Sequence, residues 1–428
     1  SARDFRAALA APGRRHILEV KTASPSRGPI RPDLDLDELL ALYERHADCI
    51  SVLTDAPFFG GSPEHLRRAA QLTTRPLLRK DFTVDAYQIA EARWLGADAV
   101  LLIVAALDQG ELVELRAAAA EFGMAALIEV HDKTELERAL AAGADLVGIN
   151  NRDLHTLRTD LAVTARLAPR IPAGVLRVSE SGYDEHWQLR QAAPLVDAFL
   201  VGSSILAAPD MEAKVKELVY GRVKICGLTR RADALAALEA GASWLGFVVH
   251  EGSPRNVSVE TLEAIAAGLP GVKVGVFVER RLEEVAAIAR RCRLHGLQLH
   301  GGYTEKDVEW VKGRLPECFV TRVVPVASAP AALPETAADY VLFDTQVPGR
   351  HGGTGRRFDY ALLAGLLADP ASAERFRRRA ILAGGLGPDN IAEAAALAPF
   401  ALDLASGVES APGLKDRAKL AALFAALR

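Results

Sequence analysis

Short runs of aliphatic and β-branched residues alternate along this chain with longer stretches rich in Ala, Leu, Glu and Arg, whose apolar positions recur at helical spacing. Strands buried on both faces read as such continuous apolar runs, and helical crossovers between them make parallel βα units. In the first half the predicted strands are HILEVK, CISVLT, RPLLRKD, DAVLLIV, AALIEV, LVGINN, LRVSES and AFLVGS, eight in all. After KELVYG the count restarts with RVKICG, WLGFVV, VKVGVFV, GLQLHG, FVTRVVPV, YVLFDT, AILAGG and ALDLASG, again eight. Eight βα repeats of about 25 residues build one (β/α)8 barrel, so the pattern predicts an α/β protein of two tandem TIM barrels, residues 1–220 and 221–428. An open doubly wound sheet is the rival, but it has no reason to stop at eight strands twice, and no G-x-G-x-x-G opens a helix in either half. The junction near Gly221 holds no Pro/Ser-rich linker, so the last helix of one barrel should feed directly into the next.

Strand alternation assigns the interior. In ILEVKTASPSRG, residues Ile17, Glu19 and Lys21 point inward while Leu18 and Val20 face the helices. At the carboxyl end of a barrel strand, inward means toward the active-site mouth. The same polar ending recurs at Lys80, Glu129, Asn150 with Arg152, and Glu180, which together with Glu19 and Lys21 fall on strands 1, 3, 5, 6 and 7. Any one of them alone is as readily a solvated strand end; the convergent set points to catalysis. Burial and like charges would raise a carboxylate's pKa there and neighbouring cations lower a lysine's, preparing an acid and a base for proton transfer. Lys80, read as a strand-end lysine in a wet mouth, should contribute little to stability. Ser181, Gly182, Gly202 and Ser203 close the last two strands and leave backbone N–H groups open to an anion, so the substrate should carry a phosphate.

Composition removes other classes. The 428 residues are 50% hydrophobic and 25% charged with a net charge of -4 and pI near 6.2, which leaves no general basic field for nucleic acid. Cys49, Cys226, Cys292 and Cys318 show no C-x-x-C spacing, so the thiols should be reduced, with no zinc and no disulfide. With no H-x-x-H and no nucleotide loop, no metal and no organic cofactor are expected. The longest apolar runs, such as AVLLIVAAL from Ala99, are too short for a bilayer, and no signal-peptide pattern opens the chain. A cytoplasmic monomer without membrane contact is the expectation.

The motifs EVKTASPSRG, RKDF, IEVHD, GINNRDL, SESG and VGSS, in that order and spacing, resemble the indole-3-glycerol-phosphate synthase family. KICGLTR, GSPRNV, VGVFV, LQLHG, LFDTQVPGRHGGTG, LAGGL and ASGVE resemble phosphoribosylanthranilate isomerase. Their fused order is that of the bifunctional tryptophan-biosynthesis enzymes of some bacteria. For the first barrel the resemblance implies ring closure of a carboxyphenylamino-deoxyribulose phosphate with loss of carbon dioxide and water. Lys80 would be the general acid on the ketone, and Glu129 would assist dehydration. Lys21 would hold the substrate carboxylate; Glu19, Asn150 and Glu180 would bind sugar hydroxyls and orient the lysines. Ser24 joins the substrate-binding set, and Arg152 would either contact substrate or brace the mouth. For the second barrel it implies an Amadori rearrangement of phosphoribosylanthranilate, with Cys226 as base and Asp344 as acid. A cysteine base requires a pKa lowered by a nearby cation or helix end. Arg255 would meet the anthranilate carboxylate, His300 would line the pocket or satisfy a core hydrogen bond, and Gly384, Gly385, Ser406 and Gly407 would cradle phosphate. The loop from Gly349 would be a mobile cover. The synthase resemblance further implies a helical segment ahead of SARDFRAAL, on which the phosphate end of that site would depend.

Overall fold

The computed structural model describes residues 3–24, 28–31, 33–154, 156–326, 332–345 and 359–428. Two compact units divide the chain, 1–219 and 220–428, and each holds a closed parallel barrel. In the first unit the barrel strands are β1 (Arg15–Val20), β2 (Cys49–Leu53), β3 (Leu77–Lys80), β4 (Ala99–Ile103), β5 (Ala125–Val130), β6 (Leu146–Asn150), β7 (Leu176–Glu180) and β8 (Ala198–Val201). Closure comes where β1 pairs with β2 through Ile17↔Cys49 and with β8 through Ile17↔Leu200. The second unit repeats the plan with β9 (Val223–Ile225), β10 (Trp244–Val249), β11 (Val272–Val278), β12 (Gly296–His300), β13 (Phe319–Val326), β14 (Tyr340–Thr345), β15 (Ala380–Leu382) and β16 (Ala401–Leu404). Here β9 closes the ring against β10 and β16.

Each barrel is stopped at its amino-terminal end in its own way. In the first, Ile17, Cys49, Leu78, Ala99, Leu101, Leu127, Val178 and Leu200 form one buried cluster with Phe5 and Leu9 of α1 (Phe5–Ala10). That helix, capped by Asp4 accepting from Ala7 N, is therefore the plug. Cys49 belongs to this core. In the second, aromatic residues from the strand starts do the work: Trp244 stacks on Phe319 at 4.7 Å and Tyr340 on Phe400 at 4.3 Å between ring centroids. With that end filled, the interior of each barrel opens at its carboxyl-terminal mouth. Among the described residues no helix is long and apolar enough to cross a membrane.

Candidate active sites

The first mouth encloses a cavity of about 680 Å³, lined by every polar candidate of the first half: Glu19, Lys21, Ser24, Lys80, Glu129, Asn150, Arg152, Glu180, Ser181, Gly182, Gly202 and Ser203. At its centre Lys80 Nζ lies 3.3 Å from Glu129 Oε2 and 3.6 Å from Glu180 Oε2, while Lys21 donates to Glu19. The expectation of a lysine with lowered pKa is corrected here. Burial does favour the neutral amine, but Glu129, Glu180 and Glu19 together hold the Lys80 ammonium above its ordinary value. Nor is Lys80 a solvated strand end: its side chain is only 15% exposed and its charge belongs to a buried ion cluster.

The two carboxylates part company. Glu129 is buried, yet Lys80, His131 and Asn150 hold it well below the usual carboxylate range. Burial pushes Glu180 up to about 8, aided by Glu129 and Glu19 and against the pull of Lys80, so it is mostly protonated at pH 7. Its Oε1 has no hydrogen-bond partner. Gly148 on β6 makes room for it, since a Cβ there would lie 2.2 Å from Glu180 Oε1. Gly202 does the same for Glu19, whose Cβ and Oε1 both come within 2.8 Å of where a side chain would begin.

Several supporting residues escaped the sequence reading. His131 Nε2 stands 3.4 Å from Glu129 Oε1, with its Nδ1 3.0 Å from Glu135 Oε2. Against burial, Glu129 and Glu135 raise it to about 10. The i,i+4 spacing of His131 and Glu135 was the available signal. Asn151, fully enclosed, donates to the carbonyls of Glu180 and Ser181 and so holds Ser181 in the left-handed region at φ 67°. Phe58 and Phe82, with ring centroids 6.2 Å apart, add an apolar wall to the cavity. Arg152 both lines the cavity and donates from Nη1 to Leu157 O.

The second mouth holds a narrower cavity of about 120 Å³ lined by Cys226, Arg255, His300, Asp344, Gly384, Gly385 and Ser406. Gly407 is not part of this lining. It packs instead against the Leu386–Gly387 backbone, where a Cβ would come 2.0 Å from Leu386 O. The cation required beside Cys226 exists: Lys224 Nζ is 3.4 Å from the sulfur. Even so, burial pushes the Cys226 thiol up, with Asp403 adding to the rise and Lys224 and Lys415 opposing it, so the expected depression is absent. Arg255 is held by Glu409 through Nε at 2.9 Å and Nη2 at 2.8 Å. Gln298 settles His300: its Oε1 accepts from Lys224, so its amide Nε2 donates across 2.7 Å to His300 Nε2. His300 thus lines the pocket and satisfies a core hydrogen bond at once. The loop from Gly349 lies outside the described residues.

Family models match both units. Residues 1–218 match indole-3-glycerol phosphate synthase, and residues 223–426 match N-(5'phosphoribosyl)anthranilate (PRA) isomerase. The chain is 41% identical over its full length to a tryptophan biosynthesis protein TrpCF of Yersinia pestis, covering 88% of that protein. The corresponding TrpCF of Vibrio cholerae is 42% identical over 100% of the chain and 89% of the relative, and that of Helicobacter pylori strain J99 39% over 100% and 93%. The chain belongs to this family of two-domain tryptophan-biosynthesis enzymes. It is bifunctional: the second unit isomerises N-(5-phosphoribosyl)anthranilate to 1-(2-carboxyphenylamino)-1-deoxyribulose 5-phosphate, and the first closes that product to indole-3-glycerol phosphate with loss of carbon dioxide and water.

Proposed function

We propose the following division of labour among the residues of the two mouths. In the synthase unit Lys80 is the general acid that protonates the ketone as the anthranilate ring carbon attacks it. Lys21 holds the carboxylate that leaves as carbon dioxide. Glu129, ionised, assists removal of water, and Glu180, neutral at pH 7, donates to a sugar hydroxyl. Glu19 and Asn150 complete the hydroxyl contacts and orient Lys21 and Glu129. Phe58 and Phe82 offer the anthranilate ring an apolar wall, and Ser181, Gly182, Gly202 and Ser203 turn toward the phosphate, with Ser24 and Arg152 at the rim. The observation that carries this reading is the opposite shift of two glutamates 3.3 and 3.6 Å from one ammonium, which supplies an acid and a base side by side.

In the isomerase unit Cys226 takes the proton from C2 of the ribose and Asp344 protonates the ring oxygen. Arg255 pairs with the anthranilate carboxylate by exchanging Glu409 for it. Gly384, Gly385 and Ser406 hold the phosphate, with Gly407 shaping the turn behind them. The enzyme works as a cytoplasmic monomer on small molecules and not on nucleic acid, consistent with its net charge of -4. Separated activities test the whole scheme. Lys80→Ala should convert phosphoribosylanthranilate only as far as the carboxyphenylamino intermediate, Cys226→Ala should cyclise that intermediate but make none, and a mixture should restore the path. Indole product formed from phosphoribosylanthranilate by either variant alone would sink the assignment.

A further inference from the structure

We propose that Lys224 is a positioning residue of the isomerase site, its ammonium held between Asp403 and Gln298 as the counter-ion of a Cys226 thiolate. This rests on the reading of Cys226 as the base. Lys224 is 1% exposed and sits on β9 two residues before Cys226, so both side chains point into the barrel. An ammonium has three N–H donors and no acceptor. Its three neighbours are Gln298 Oε1 at 2.6 Å, Asp403 Oδ2 at 2.8 Å and Cys226 Sγ at 3.4 Å. Two hydrogen bonds are therefore strong, and the third donor is aimed at the sulfur, which accepts far better as thiolate than as thiol. Gly246 on β10 permits this approach, because a Cβ there would lie 2.8 Å from both Cys226 Sγ and Lys224 Cε.

The other charges around the thiol are already committed. Lys415 Nζ bonds Glu409 Oε1 at 2.7 Å and the backbone oxygen of Cys226 at 2.6 Å. Arg255 is on Glu409, His300 Nε2 accepts from Gln298, and Asp344 lines the cavity from β14. Asp403 keeps Oδ1 without a hydrogen-bond partner, so it opposes the thiolate while anchoring Lys224. The thiol proton leaves to water at the open mouth. Sulfur then takes the C2 proton of the ring-opened iminium: an S–H bond forms, the C2–H bond breaks, and its electron pair becomes the C1=C2 bond that neutralises the nitrogen.

Iodoacetamide labelling of Cys226 in the full chain, read between pH 6 and 10 by mass spectrometry of its own peptide, tests the assignment. Asp403→Asn should lower the midpoint of labelling by about one pH unit, and Lys224→Met with Asp403→Asn should raise it by about one unit. In the double variant kcat of isomerisation at pH 7 should fall about tenfold with little change in KM, as thiolate is lost rather than binding. The calorimetric melt of the isomerase unit checks that it has folded, and should the double variant fail that check, Asp403→Asn alone still gives a signed answer. An unchanged midpoint, or shifts of the same sign, overturns the counter-ion role. Midpoints that move as stated while the isomerisation pH profile stays fixed would uphold the counter-ion and remove Cys226 as base.

Discussion

Replacing Gly148 by Ala should disable one activity of this enzyme and spare the other. The backbone at Gly148 is ordinary strand, so the only obstacle is space: the new Cβ would stand 2.2 Å from Glu180 Oε1 and 3.3 Å from Leu127 Cδ1. Relief to normal contact requires the Glu180 carboxyl to move by about 1 Å, since carbon and its neighbours are repelled inside roughly 3.4 Å. Glu180 cannot move freely, because Oε2 is 3.6 Å from Lys80 and the side chain is 2% exposed. Overpacking of this kind costs about 1–3 kcal/mol, offset in part by the roughly 0.4–1 kcal/mol that Ala gains over Gly in the unfolded chain. Melting of the synthase unit should therefore fall by about 2–6 °C. A displacement of that size at a carboxyl proposed to bind the substrate's sugar should lower kcat for cyclisation about 10- to 100-fold. Steady-state cyclisation, isomerisation of phosphoribosylanthranilate and calorimetry on one preparation read all three. Gly313→Ala, in the helix Glu305–Arg314 with nothing within 4 Å of its Cβ, is the control and should be neutral or slightly stabilising. Wild-type cyclisation with an unchanged melt in Gly148→Ala would refute the packing argument.

Glu180 also predicts a pH trend. Its folded pKa is raised to about 8 above the ordinary value of 4.5, so the native state binds the proton more tightly and the stability it contributes fades as pH rises from about 5 to 8. Glu180→Gln should flatten that decline in urea titrations, and a wild-type unit equally stable at pH 5 and 8 would contradict the shift. Lys80→Ala leaves Glu129 and Glu180 buried without their cation; it should destabilise the synthase unit by up to about 3–5 kcal/mol near pH 8 and less near pH 5, where a carboxyl takes up a proton. Equal melts for wild type and variant at pH 8 would return Lys80 to a solvated strand end. Leu9→Ala, in the α1 plug, should cost about 2–5 kcal/mol and split thermal unfolding into two steps, the isomerase unit melting as before.

The strands were legible because parallel barrel strands are buried on both faces and leave unbroken apolar runs: AALIEV, WLGFVV, VKVGVFV and YVLFDT are strands to the residue. Period-two alternation then placed Glu19, Lys80, Glu129 and Glu180 around one cavity. Protonation was not legible, because it depends on how many opposite charges meet. From the sequence, Lys80 had cationic neighbours; in space its neighbours are three carboxylates. Lys224 and Asp403 escaped for a different reason. Lys224 lies a layer below the mouth and Asp403 at the floor of its cavity, on strands β9 and β16 whose pairing Lys224↔Asp403 joins residues 179 apart. The glycine at 148 carries no signal in itself; its meaning comes from the carboxyl on the next strand.

Both barrels end their first strand on two inward residues spaced by two, Glu19 with Lys21 and Lys224 with Cys226, yet the balance of charge beneath each mouth differs. In the synthase, Glu19, Glu129 and Glu180 surround Lys21 and Lys80, and the deficit of cations is met by a proton retained on Glu180. On the proposed roles, that proton makes Glu180 the neutral donor next to an ionised Glu129. In the isomerase, Lys224 is matched by Asp403 and Lys415 by Glu409, so the paired charges cancel and burial decides in favour of a neutral thiol. Arg255 also spends its charge on Glu409, and a substrate carboxylate arriving there would compete with Glu409 for it. One architecture thus carries a synthase mouth with one carboxylate more than its lysines and an isomerase mouth whose paired charges cancel, the difference on which the proposed acid-assisted ring closure and base-initiated isomerisation rest.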